Sequence, residues 1–215
     1  ENEHVSKHWP EFSAKDHEGH EHVIIEAVSE GVIFSSLEHS IGGADSVAVL
    51  RPKVSDEERK TAIATAFSFA GRPYDFEFDF ETTDMLVCTE VVFRTYGGNS
   101  GPISFPLERI MGRETMPAIN LVKKFNEEYG TDDAQFEFIA FIDGDEHTET
   151  SSFHTDVESF RETEQRPASS FTQGSKLNAF KDIGPLGWVL LSLTILAAVV
   201  LVVPPLNRRV RAKAV

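Results

Sequence analysis

The chain has 215 residues, room for one globular domain of ordinary size plus an appendage. Its 35 acidic and 20 basic residues give a formal charge of −15, and since every acidic residue but only 16 basic ones precede Leu186, the part before that residue carries −19. That charge argues against nucleic acid and bare anionic lipid as partners, and the single cysteine excludes an internal disulfide.

Residues 1–22 are polar and rich in histidine. HVIIEAV (22–28) and GVIFSSL (31–37) then read as two short strands around a tight turn at Ser29, Glu30 and Gly31, and SVAVLRP (46–52) as a third. Ser55 and Glu58 form a capping box ahead of an apolar-periodic stretch closed by Gly71, which predicts a helix over 56–70. GRPYDFEFDF (71–80) reads as a loop followed by alternation, with Phe76, Phe78 and Phe80 at period two expected on one buried strand face rather than on a ligand platform. In MLVCTEVVFRTYG the apolar approach ends at Cys88, and Val91, Val92, Thr95 and Tyr96 recur at helical spacing until Gly97, so Cys88 is expected at a helix N-terminus. Pro117 to Tyr129 reads as a further helix and QFEFIAFID (135–143) as a strand. Asp145 to Lys181, acidic and rich in Ser and Thr, reads as a partly ordered connector.

Leu186 to Val203 contain no charged residue, and about 27 Å of helix at 1.5 Å per residue matches a bilayer's hydrocarbon thickness. A transmembrane helix is expected there, with Trp188 as an interfacial anchor. Arg208, Arg209, Arg211 and Lys213 follow it, which makes the tail cytoplasmic and the domain extracytoplasmic, on a single-pass membrane protein. Export calls for a signal that ENEHVSKHWP does not supply, so the sequence is expected to be a truncated or processed form of a longer one.

A cysteine is a nucleophile only as thiolate, and a helix start favours that charge through unpaired N–H groups and the dipole. The same position also suits a buried, inert cysteine, so the residues alone leave both readings open. His17, His20 and His22, with His4 and His8 nearby, form a rival constellation for zinc or copper, but H-x2-H-x-H without paired cysteines matches no strong zinc pattern; neither metal nor cofactor is expected. Pro73-Tyr74-Asp75 is either turn chemistry or part of a cleft.

EHV (3–5), VIIEAVSEGV (23–32), DSVAVLRP (45–52), GRPYDFEFD (71–79) and LVCTEVV (86–92) resemble successive blocks of the permuted papain-like amidases, the YiiX-like branch of the NlpC-type superfamily. The G-x-P-Y-D and C-[ST]-E blocks are the most specific, and weaker similarity continues to about residue 168. The resemblance implies an α+β fold, a papain-like antiparallel sheet or small barrel packed on helices, circularly permuted. It implies Cys88 as nucleophile, His4 as general base with His22 and His8 as alternatives, Glu26 as the group orienting the imidazole, and Tyr74 and Asp75 beside the substrate. It also implies an opening strand that these residues do not include. The expected organisation is a hydrolase domain over 1–168, a connector over 169–185, a transmembrane helix over 186–206 and a basic tail over 207–215. The expected activity is cleavage of an amide or acyl bond in a cell-wall peptide or a lipid-like compound through a thioester. An acyltransferase or thioesterase would use the same residues, and a tethered binding or metal-sensing protein is the reading from another class.

Overall fold

The computed structural model describes residues 9–12, 14–42, 44, 46–145, 150–165 and 199–203. Strands β1 (His22–Val28) and β2 (Gly31–Ser36) form the expected antiparallel hairpin. Gly31 sits at φ +115°, and a Cβ there would meet the Arg72 carbonyl oxygen at 2.5 Å, so the turn and the close approach both require glycine. The approach is a bonded one: Val32 N–H donates to Arg72 O and Gly71 N–H to Val32 O, each at 2.8 Å. The hairpin is thereby stitched to the start of the 71–80 loop.

A short helix, α1 (Leu37–Ile41), follows, capped by the Ser36 hydroxyl, which accepts the His39 amide. Strand β3 (Ser46–Pro52) lies inside a four-stranded antiparallel sheet, between β6 (Phe136–Asp145) and β8 (Val199–Val203), with β7 (Thr150–His154) on the far side of β6. This interior position explains why Val47 to Leu50 are all buried rather than alternating. Helix α2 (Asp56–Phe67) carries the expected capping box, Ser55 and Glu58 bonding each other's amides; it stops three residues before position 70, where Ser68 to Ala70 continue as a turn. Helix α3 (Cys88–Thr95) begins at the cysteine. A small hairpin, β4 (Glu108–Ile110) and β5 (Arg113–Thr115), and helix α4 (Ala118–Glu128) come next, and α5 (Val157–Arg161) follows β7.

Leu50, Val87, Phe93, Met116, Phe125, Phe141 and Phe160 join one core between the sheet and α3, α4 and α5. A second cluster of Ala27, Val32, Phe69, Leu86 and Val91 packs the β1–β2 hairpin against the start of α3. Helices on an antiparallel sheet agree with the expected mixed class.

Of the apolar run, Val199–Val203 form β8, a strand bonded to β3 rather than a helix. The rest of the expected span, with Trp188, the 169–185 connector and the 207–215 tail, lies outside the described residues. Among the described residues no helix is long and apolar enough to cross a membrane. Within the stretch read as a partly ordered connector, β7 and α5 are regular, and both fall inside the expected 1–168 domain.

The stitch at Gly31 gives a direct test of the packing. Gly31→Ala should lower stability by more than about 1 kcal/mol in urea unfolding. Gly71→Ala, also at positive φ but with open space around its Cβ, should cost less.

Candidate active site

The approach to Cys88 is extended and paired. Leu86 N–H donates to Pro73 O at 3.0 Å and Asp75 N–H to Leu86 O at 3.3 Å, a parallel bridge between Tyr74 and Leu86. Val87 is the N-cap residue of α3, extended at φ −91° and ψ 165°, and its aliphatic side chain supplies no capping bond. The first-turn amides are therefore not claimed by a cap side chain.

The Cys88 side chain is open to solvent on one side, yet enough protein surrounds the sulfur to push the thiol above its ordinary pKa. The Thr89 and Cys88 amides pull it back down, and the Glu26 carboxylate pushes it further up. The helix-start amides act in the expected direction, but desolvation outweighs them and Glu26 adds to it.

Glu26, on β1, lies near enough to act electrostatically on the thiol. One carboxylate oxygen, Oε1, accepts two hydroxyls, Ser35 at 2.5 Å and Ser40 at 2.7 Å, and these hydroxyls lie 2.8 Å apart. Among the described residues Oε2 takes no hydrogen bond, so the carboxylate is held by one oxygen and presents the other.

Tyr74 is half-buried, and burial, with Cys88 and Asp75 adding to it, pushes its phenol up to about 12. It therefore remains an O–H donor at any physiological pH, and among the described residues that hydroxyl makes no hydrogen bond. Asp75 is 1% exposed, and its two oxygens accept the amides of Glu77 at 2.8 Å and Asp79 at 2.6 Å. Its carboxylate holds the loop in shape, so any contribution to substrate binding comes through that loop. The expectation of a buried aromatic strand face fails here. No strand forms over 76–80; Phe80 is 7% exposed, but Phe76 is 70% and Phe78 is 50% exposed.

Residues 3–139 match the profile of the permuted papain-like amidase enzymes, the YaeF/YiiX, C92 family. The chain belongs to that family. No curated protein and no solved structure matches it. Membership makes the protein a papain-like cysteine amidase or peptidase, a hydrolase, and the matched residues include Cys88, Glu26 and the Tyr74 loop.

His4 and His8 lie outside the described residues. His22 donates through Nδ1 to the Glu11 carbonyl, 3.2 Å away, and sits four residues from Glu26 on β1, roughly 13 Å along an extended strand. The structure does not bring it to the carboxylate. His20 lies 3.4 Å from Asp16, and His17 is exposed near Glu18. Among the described residues no three metal-capable side chains converge.

Two features of this family member's site were not singled out in the sequence. Ser35 and Ser40 left only the hydroxyl-rich SSLEHS stretch as a signal. Glu90 and Arg94 had a clearer one, the i,i+4 spacing on α3. Glu90 is fully buried; burial pushes its carboxyl up, and Arg94, bonded to it at 2.6 Å, pulls it back with help from the Val87 amide. Arg94 also donates to the Phe80 and Thr82 carbonyls, tying the aromatic loop to the helix that begins at Cys88.

Removing Arg94 would leave a buried carboxylate unpaired. Arg94→Met should therefore cost about 3 kcal/mol in chemical denaturation, and adding Glu90→Gln should recover part of the loss.

Proposed function

We propose that the chain hydrolyses an amide through a thioester on Cys88, with His4 as general base, Glu26 orienting the imidazole and Tyr74 donating to the oxyanion. The observation that carries this reading is a solvent-open thiol on the first residue of a helix, within electrostatic reach of the Glu26 carboxylate. A thiol raised by burial does not ionise unaided near neutral pH, so it needs an adjacent base. The span that matches the family profile begins at residue 3 and so includes His4.

On this reading the imidazole takes the thiol proton and sulfur attacks the carbonyl carbon. Negative charge gathers on the carbonyl oxygen, within reach of the α3 amides and the Tyr74 hydroxyl. Collapse breaks the C–N bond, and the imidazolium returns its proton to the departing amine. Water, deprotonated by the same imidazole, then attacks the thioester and releases the acid and the free thiol. Glu26 Oε2 holds the imidazole N–H and stabilises its positive charge; Ser35 and Ser40 hold Oε1.

The test is turnover of an N-acyl aminocoumarin amide. Cys88→Ala should lower kcat by at least about a thousandfold and His4→Ala by a comparable factor. Tyr74→Phe should lower kcat by roughly ten- to a hundredfold with little change in KM. Full activity in Cys88→Ala would end the proposal.

A membrane tether belongs to the same proposal, supported by the uncharged length of Leu186 to Val203 and the four basic residues after it. The pairing of Val199–Val203 with β3 competes for the last five residues of that run. Alkaline carbonate extraction decides between them: the full chain should stay with the membrane pellet, and its release into the supernatant would contradict the tether.

A further inference from the structure

A second cluster of hydroxyl, imidazole and carboxylate stands on β7 and the turn into α5, beyond residues 3–139 that match the family profile. Ser152 and His154 are alternate residues of β7, so their side chains leave the same face of the strand. The Ser152 hydroxyl lies 2.8 Å from His154 Nε2. On the other side of the ring, Nδ1 lies 3.2 Å from the Ser159 hydroxyl and 3.5 Å from an Asp156 carboxylate oxygen. Asp156 Oδ1 accepts the Ser159 hydroxyl at 2.9 Å and the Ser159 amide at 3.1 Å.

The proton positions follow from that carboxylate. The amide and hydroxyl of Ser159 hold Asp156 below the usual carboxylate range, so near neutral pH it is ionised and only accepts. The one proton of the Ser159 hydroxyl is spent on it, and the Ser159 oxygen meets His154 Nδ1 as an acceptor. A neutral imidazole therefore carries its proton on Nδ1 and turns the lone pair of Nε2 to Ser152. The Asp143 carbonyl also lies within reach of the Ser152 hydroxyl, but at 3.4 Å it is the weaker acceptor. One face of the ring lies against Phe141, with centroids 6.1 Å apart, which restrains its rotation. Fastening β7 to α5 requires only Asp156, Ser159 and Nδ1; the exposed Ser152 at the far nitrogen adds nothing to that task.

We infer that Ser152 is a second nucleophile, with His154 as its general base and Asp156, through Ser159, holding the tautomer, and that it takes the acyl group of a small, uncharged, activated ester. The Ser152 oxygen bonds to the ester carbonyl carbon as Nε2 takes the hydroxyl proton. The bond from that carbon to the leaving oxygen then breaks, the imidazolium returns the proton to the departing alcohol, and an acyl-serine remains. Asp143, opposite Ser152 in the β6–β7 register, and Asp156 disfavour an anionic ester, while Glu158 is paired with Arg161. The site does not involve Cys88 and stands whether or not that thiol is the amidase nucleophile.

The experiment treats the full chain carrying Cys88→Ala, which removes the sole thiol, with p-nitrophenyl acetate and follows acetylation of each serine by peptide mass. Ser152 should acetylate at least about a hundredfold faster than the other exposed serines, the order that general-base assistance supplies. His154→Gln should remove that advantage. Asp156→Ser, which keeps a capping oxygen for α5 but removes the charge, should lower it by about tenfold, whereas a purely structural network would leave it unchanged. Should His154→Gln lose the parent's circular dichroism spectrum, Asp156→Ser decides alone. A Ser152 rate no greater than that of the other serines, or an advantage undiminished in a folded variant, would overturn the inference. Mono-p-nitrophenyl succinate, which ends in a carboxylate, should acylate Ser152 more slowly than the acetate does; equal rates would overturn the charge preference.

Discussion

Residues 71–75 are bonded through their backbone on both sides, to Val32 of the β1–β2 hairpin and to Leu86 before helix α3. The candidate site depends on this double pairing. Glu26 and Cys88 are 62 positions apart in sequence and sit on elements that share few regular bonds of their own. The intervening segment brings them together: one end fits against Gly31, where no larger residue can stand, and the other leads straight into the Tyr74–Leu86 bridge and the turn into the helix. The small apolar cluster of Ala27, Val32, Leu86 and Val91 fills the space beneath.

This arrangement has an electrostatic consequence. The thiol is desolvated and lies near an anion, so its neutral form is favoured despite the helix-start amides. On the proposed assignment an imidazole between Glu26 and Cys88 reverses that balance, since one positive charge faces both groups. The two serines make the carboxylate a fixed reference for that imidazole, and Glu90 with Arg94 fixes the helix whose first residue is the nucleophile.

Much of the framework was legible because it follows local rules. The strands at 22–28, 31–36 and 46–52, the Ser55 capping box and the helix start at Cys88 stand where hydrophobic period, turn residues and caps place them. The β4–β5 hairpin escaped notice because its strands are three residues long and largely exposed, around a Met111-Gly112 turn with both φ values positive instead of the usual Asn-Gly. Strand β7, TSSFH, is held by pairing with β6 and not by any apolar pattern of its own. The phenylalanines at 76, 78 and 80 have a strand's period, but Asp75 captures the amides at 77 and 79 and Phe78 turns left-handed, which ends the alternation. The raised thiol pKa was not readable at all, since both desolvation and Glu26 reach Cys88 only through the tertiary fold.

The central claim is that one imidazole lies between the Glu26 carboxylate and the Cys88 thiol. NMR titration of the histidine rings tests it, with the relevant signal assigned by its loss in His4→Gln. The account predicts that this ring stays protonated to a higher pH in the wild type than in Glu26→Gln or Cys88→Ser, because each substitution removes a negative neighbour of the imidazolium. A His4 titration identical in all three proteins would contradict it.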